Sequence, residues 1–233
     1  MRLPVWIALS LLALLSACTA ATPRVGGAAP AKTEPEQPHL NPADMHADLI
    51  RQMLANGQYY AALAHIEDAR RSGGNSEELD LLEADARSHL GQRPQAEALY
   101  RKLLLGRYAA QAYHGLGRLY VGTDLENAIR NLRAAVERAP TDVDFRNDLG
   151  YALMESGRYT EAKLQLSTAA ELAPNQLTSR NNLIILMMLM GNEAAVQQLA
   201  QDSAATPERL RDLRQTAQSI REKQIARAAK PAG

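Results

Sequence analysis

One spacing constrains this chain more than any other feature: small or compact side chains return every 32 to 34 residues, at the same place in an amphipathic helical pattern. One series runs Ile50, Ala84, Gly117, Gly150 and Ile184, at intervals of 34, 33, 33 and 34. A second runs Ala62, Ala96, Ala128, Ala162 and Val196, at intervals of 34, 32, 34 and 34. Ile66, Tyr100, Leu132, Leu166 and Ala200 follow the second series at the same intervals. Gly57, Gly91, Gly122, Gly157 and Gly191 fall between the first series and the second. Three concordant series describe a repeated helical hairpin. The small residue of the first helix lies against the alanine of the second, and the glycine between them supplies a left-handed turn. A hairpin of that size cannot bury its own apolar face, so copies must stack.

The clearest copy is VDFRNDLGYALMESGRYTEAKLQLSTAAELAPNQ, residues 143–176, in which Leu149-Gly150, Ala162, Leu166 and Ala169 mark the helix contacts and Pro174 the end. It resembles a tetratricopeptide repeat. The resemblance implies an all-α fold, an α-α superhelix of about five hairpins over 42–206: 43–76, 77–109, 110–142, 143–176 and 177–206. The copies are unequal. Ile50 replaces the small residue in the first, Glu83-Ala84 replaces Leu-Gly in the second, and the turn of the third shortens to Gly122-Thr-Asp. The fifth has Ile184 and decays after Gly191. Residues 207–228 follow with Thr206 as N-cap, Pro207 at the first helical position and a stripe of Leu210, Leu213, Ala217 and Ile220. This helix is expected to cap the open end of the stack.

The N-terminus addresses the compartment. Arg2 precedes an apolar run, Leu3 to Ala17, too short for a membrane span but suited to the h-region of a secretory signal. The run ends Leu15-Ser16-Ala17-Cys18, which resembles the lipobox of bacterial lipoproteins. That resemblance implies residues 1–17 as signal peptide, cleavage before Cys18 and lipidation of its sulfur and amine; the alternative is an ordinary signal cut near Ala20. The only cysteine of the chain sits at the lipobox position. Thr19 follows it, and the absence of Asp there points to the outer membrane and not to retention in the inner one. Loss of Arg2 leaves 25 basic against 26 acidic residues, a net charge of −1. Residues 18–41 carry Pro23, Pro30, Pro35 and Pro38 among Ala, Gly and Thr, a lipidated linker that spans about 70 Å when extended.

Composition narrows the chemistry. Lys and Arg total 26 against 26 Asp and Glu, which gives no basic footprint for nucleic acid. Five histidines in different predicted elements and one cysteine leave no ligand set for a metal. No Gly-rich phosphate loop, HExxH or Gly-x-Ser-x-Gly elbow occurs. The expectation is a binding protein and not an enzyme, with no cofactor, metal or small-molecule substrate.

In tetratricopeptide stacks the first helices line a concave groove. The resemblance places there Leu81, Asp85 and Ser88; His114, Arg118 and Val121; Asn147, Tyr151 and Met154; and Asn181, Ile185 and Met188. The result is a polar ladder of His114, Asn147 and Asn181 beside an apolar strip of Tyr151, Met154, Ile185 and Met188, suited to a segment of another protein. The run Met187 to Met190 fits groove or core equally. Asn147→Ala with Asn181→Ala is expected to weaken partner binding with little loss of stability.

The plan of lipobox, Pro/Ala linker and five hairpins resembles the TadD lipoproteins of tight-adherence (Tad, Flp) pilus systems. The stretches RNDLGYALMESGRYTEA and RNNLIILMMLMGNEAA carry the specific part of that resemblance. It implies a pilotin-like adaptor, lipid-anchored at the periplasmic face of the outer membrane, whose partner is a secretin or another pilus-assembly component. Other readings are the pilotin of a related type IV pilus or secretion system, a scaffold recruiting cell-wall hydrolases, and a periplasmic enzyme with an unrecognised site.

Overall fold

The computed structural model describes residues 42–229. The apolar run, Cys18, the linker up to residue 41 and the tail 230–233 lie outside the described residues. The described chain is eleven helices: α1 Pro42–Ala55, α2 Tyr59–Arg71, α3 Glu77–His89, α4 Arg93–Lys102, α5 Ala109–Tyr120, α6 Leu125–Arg138, α7 Val143–Glu155, α8 Tyr159–Leu172, α9 Leu177–Leu189, α10 Glu193–Asp202 and α11 Pro207–Ala228. The first ten form five hairpins, and no strand occurs among the described residues. The fold is all-α.

The helix ends follow from local chemistry. Ser76, Asp124, Asp142, Asn192 and Thr206 each accept a hydrogen bond from the backbone N–H three residues on, at 3.0–3.3 Å. Ahead of Pro140 and Pro174, Ala139 and Ala173 leave the helical region, with φ/ψ of −135/74° and −131/75°. Gly57, Gly91, Gly157 and Gly191 close their hairpins at φ of 72–80°. Gly122 does not take the left-handed conformation expected of it. One residue has been removed from that turn, so Thr123 and Asp124 donate back to the carbonyl of Tyr120 and Asp124 caps α6 directly.

The repeated small residue has a steric cause. A Cβ built on Gly117 would lie 2.5 Å from Leu132 Cγ, and one on Gly150 would lie 2.6 Å from Leu166 Cγ. Hairpins α5/α6 and α7/α8 are the most closely packed of the five. Elsewhere the sizes are redistributed. Ala84 meets Tyr100 in one buried cluster, and in the last hairpin a fully buried Ile184 has Ala200 at the matching position of α10. Glu83, standing where leucine is usual, is buried and held by Arg70 and Arg87. The neighbouring Asp80 binds Arg70 at 2.8 Å and Lys102 at 2.7 Å, which supplies the partners that buried carboxylates require.

The largest buried cluster runs from α6 through α11, joining Leu132, Phe145, Leu149 and Leu166 to Leu183, Ile184, Leu213 and Ile220. First helices of successive hairpins approach one another, at α1/α3, α3/α5 and α7/α9, while second helices keep farther apart. The first-helix face is therefore the inside of the curve. Helix α11 caps the array in an unexpected position: it folds back onto α9 and reaches the end of α7, so it lies over that inner face.

Candidate protein-binding groove

The predicted groove residues divide into two sets. Over hairpins two and three the face is open. Leu81, Asp85, His89, His114 and Arg118 line a cleft of about 300 Å³, with Leu54 and Phe145 at its margins. The Tyr100 hydroxyl donates to Asp85 Oδ1 at 2.6 Å. Burial pushes the Asp85 carboxyl up from its ordinary value, against the opposing pull of the Tyr100 hydrogen bond and the charges of Arg118, His114 and His89. Burial, reinforced by the Asp85 charge, also pushes the Tyr100 phenol far above its usual range. Arg118 stays exposed at the mouth of the cleft. His89 stacks on Tyr59 with ring centroids 4.6 Å apart.

The polar ladder exists, in a different register. His114 Nε2 lies 2.7 Å from Asp148 Oδ2, and its ring stacks on Phe145 at 4.4 Å. Asn147 Nδ2 donates to Asp148 Oδ1 at 3.3 Å, and Asn147 Oδ1 accepts from Asn182 at 2.9 Å. The ladder is thus His114, Asp148, Asn147, Asn182, and it ties α5, α7 and α9 together. Asn147 is 7% exposed. Its donor and acceptor are both engaged within the fold, so the expectation that Asn147 can be removed at little cost to stability is corrected. Asn181 sits one residue away from the ladder and instead accepts from Arg209 of α11 at 3.4 Å. Ser88 and Val121 are half-buried, and Val121 packs against the main cluster.

The apolar strip is covered. Met154 is fully buried and Ile185 is 3% exposed, in the same cluster as Leu213, Ala217 and Ile220 of α11. These two residues are core, and the expectation that they face an open groove is corrected: α11 lies where a partner segment was expected. Tyr151 is half-buried beside it. Burial raises the Tyr151 phenol, and the charge of Glu155 raises it further, while Lys223 and Arg227 oppose the shift. The methionine run splits. Met187 is core, Met188 is half-buried beside α11 and Met190 is exposed.

Glu155 is the residue that sequence reasoning passed over. Its side chain is 4% exposed and bound by Lys223 at 3.1 Å and Arg227 at 3.3 Å. A carboxylate in the last turn of a helix opposes the helix dipole and calls for nearby cations, which is the signal that could have found it. Among the histidines, His46 and His65 meet at 3.3 Å, a pair their sequence separation hid. No group of three or more potential metal ligands occurs among the described residues.

With that geometry in hand, comparison with known proteins is specific about the repeat. The Tetratricopeptide repeat family profile matches residues 123–184. A TPR repeat-containing protein of Pseudomonas aeruginosa, PA4299, is 33% identical over 190 residues, covering 80% of this chain and 73% of its own. The chain belongs to the tetratricopeptide-repeat proteins. Among solved structures, TTC0263, a thermophilic TPR protein of Thermus thermophilus, aligns with a TM-score of 0.60 at 21% identity. That alignment covers 76% of this chain and 98% of the other. MamA from Desulfovibrio magneticus RS-1 aligns with a TM-score of 0.54 at 20% identity over 73% of this chain and 96% of its own. These two similarities speak to the fold alone: a superhelical array of helical hairpins.

Proposed function

We propose that this tetratricopeptide array is an adaptor that holds a segment of a protein partner against the open half of its inner face, between Leu81 and Arg118. The supporting observation is the cleft itself. It places an apolar wall of Leu54, Leu81 and Phe145 beside an exposed guanidinium at Arg118 and a half-buried carboxyl at Asp85. Such a surface takes hold of an extended or helical segment by apolar contact plus one oriented charge. Its side chains form no arrangement of nucleophile, base and orienting group, which favours binding over catalysis.

The lipobox-like Leu15-Ser16-Ala17-Cys18 and the Pro-rich stretch after it favour display of this surface from the periplasmic face of the outer membrane. The resemblance to TadD lipoproteins then suggests a pilotin-like role in localising or assembling the secretin of a tight-adherence pilus. Two experiments test the reading. Cys18→Ser releases the protein from the outer-membrane fraction, and an unchanged membrane fraction refutes the anchor. A photo-cross-linking side chain at Arg118, used in cells, traps a secretin or pilus component. Capture of cell-wall hydrolases alone assigns the array to the scaffold role instead.

A further inference from the structure

The closed half of the groove is filled by the chain's own last helix. Helix α11 meets α9 and α7 through a narrow stripe, Leu213, Ala217 and Ile220, spaced four and three apart. Beyond that stripe its grip is polar. Gln224 donates to the Met154 carbonyl at 2.8 Å and accepts from the Tyr159 hydroxyl at 2.8 Å. Arg227 donates to the Glu155 carbonyl at 2.8 Å, and Arg221 to the Leu189 carbonyl at 3.3 Å. Both carbonyls are at the C-terminal ends of first helices, where orphan acceptors and the helix dipole favour cations. Lys223 and Arg227 complete the hold by pairing with the buried Glu155 carboxylate.

Three features favour exchange of this occupant. The fit is incomplete, because a cleft of about 550 Å³ remains between α11 and the α9/α10 hairpin, bordered by Met188, Glu193 and Arg214. The cations of the latch stay half-exposed, at 54% for Lys223 and 42% for Arg227. The turn that delivers α11 is strained: Ala204 sits at φ 48°, in the left-handed region that the turns inside hairpins one, two, four and five fill with glycine.

We propose that the inner face of hairpins four and five is a helix-binding groove for an amphipathic, basic helix of a partner protein, with α11 as its resident stand-in. The partner helix carries apolar residues at i, i+4 and i+7, then cations at i+10 and i+14, the pattern of Leu213, Ala217, Ile220, Lys223 and Arg227. It displaces α11 by offering Glu155 the same pair of charges. This inference rests on reading the inner face as a protein-binding surface, but on neither the anchor nor the pilus assignment.

The test uses the full chain and, as probe, a fluorescein-labelled peptide with the sequence of residues 207–228. In the K223E/R227E double variant the latch is repelled from Glu155. Hydrogen exchange then shows α11 losing protection while α9 keeps its own, and the peptide binds at least tenfold more tightly than it binds the unaltered chain. Adding Glu155→Gln to the double variant abolishes most of that gain. Three results overturn the proposal: α11 protection unchanged in the double variant, α11 released with no gain in peptide binding, or a doubling of mass by light scattering, which gives the groove to a second copy. Any of these leaves cross-linking from Arg118 unaffected, so failure here is distinguishable from failure of the adaptor reading.

Discussion

Placing a methyl group on Gly150 tests the steric rule that sets the register of the array. The new Cβ would lie 2.6 Å from Leu166 Cγ and 2.7 Å from its Cδ2, where ordinary contact begins near 3.4 Å. Leu166 is fully buried and cannot swing aside without disturbing its neighbours. Overpacking of that size costs about 1–3 kcal/mol. Replacing a mid-helix glycine by alanine returns about 1 kcal/mol in helix propensity. The net loss for Gly150→Ala is therefore about 0–2 kcal/mol, each kcal/mol lowering Tm by about 2–4 °C for an array of this length. Leu166→Ala alone leaves a cavity and costs about 2–5 kcal/mol. In the double variant the new methyl group enters that cavity. The cost of Gly150→Ala is relieved, and the pair couples favourably by about 1–2 kcal/mol.

Urea denaturation followed by far-UV circular dichroism on the four chains of the cycle measures the coupling. Gly157→Ala is the internal control. Gly157 sits at φ +80° with nothing within 4 Å of its built Cβ, so its cost of about 1 kcal/mol comes from the backbone alone. It should add to Leu166→Ala without coupling. Additivity of Gly150→Ala with Leu166→Ala to within about 0.5 kcal/mol refutes the steric account of the repeat.

Further outcomes follow from the inner face. Asn147→Ala strands the side chain of Asn182 and costs about 1–3 kcal/mol, seen as a lower urea midpoint, whereas Arg118→Ala on the open surface leaves the midpoint within about 0.5 kcal/mol. Asp85 has a raised pKa in the fold, so the folded state holds its proton more firmly than the unfolded state does. That contribution is favourable only at acid pH and is lost as pH rises from the unfolded value, near 3.8, through the folded one. Asp85→Asn removes the loss. Its Tm relative to the unaltered chain should climb across that window and then level off; a difference that is flat or falls with pH contradicts the burial argument. Ala204→Gly relieves the left-handed strain at the α10–α11 turn and should raise stability by about 0.5–1 kcal/mol, the opposite of the usual effect of introducing glycine. A loss of stability there would show that the turn is not strained.

The parts of this molecule that were legible in sequence are those set by contacts within a hairpin. Gly150 against Leu166 and Gly117 against Leu132 recur at offsets of 16 and 15 residues, the difference being the shortened turn of the third hairpin, so one period finds both, and the caps at Asp142 and Thr206 depend on neighbours three residues away. What lay between hairpins was harder to read. The ladder steps from Asn147 to Asn182, one residue beyond the matching position in the repeat, because each hairpin is rotated against the last and periodicity alone does not give that rotation. The fate of the apolar strip was hidden for a different reason. Met154 and Ile185 have the composition of a groove and occupy groove positions, but whether a groove is open depends on where the chain goes next. The stripe Leu213, Ala217, Ile220 says that α11 must bury one face; it does not say against what. The deciding information was electrostatic: Glu155 at the wrong end of its helix for its charge, and Lys223 and Arg227 one turn apart near the far end of another helix. Pairing unfavourably placed charges before assigning apolar faces would have put α11 over α7 and α9. In a repeat protein, where apolar patterns are degenerate by construction, the few charges that break the pattern carry most of the information about how the ends close.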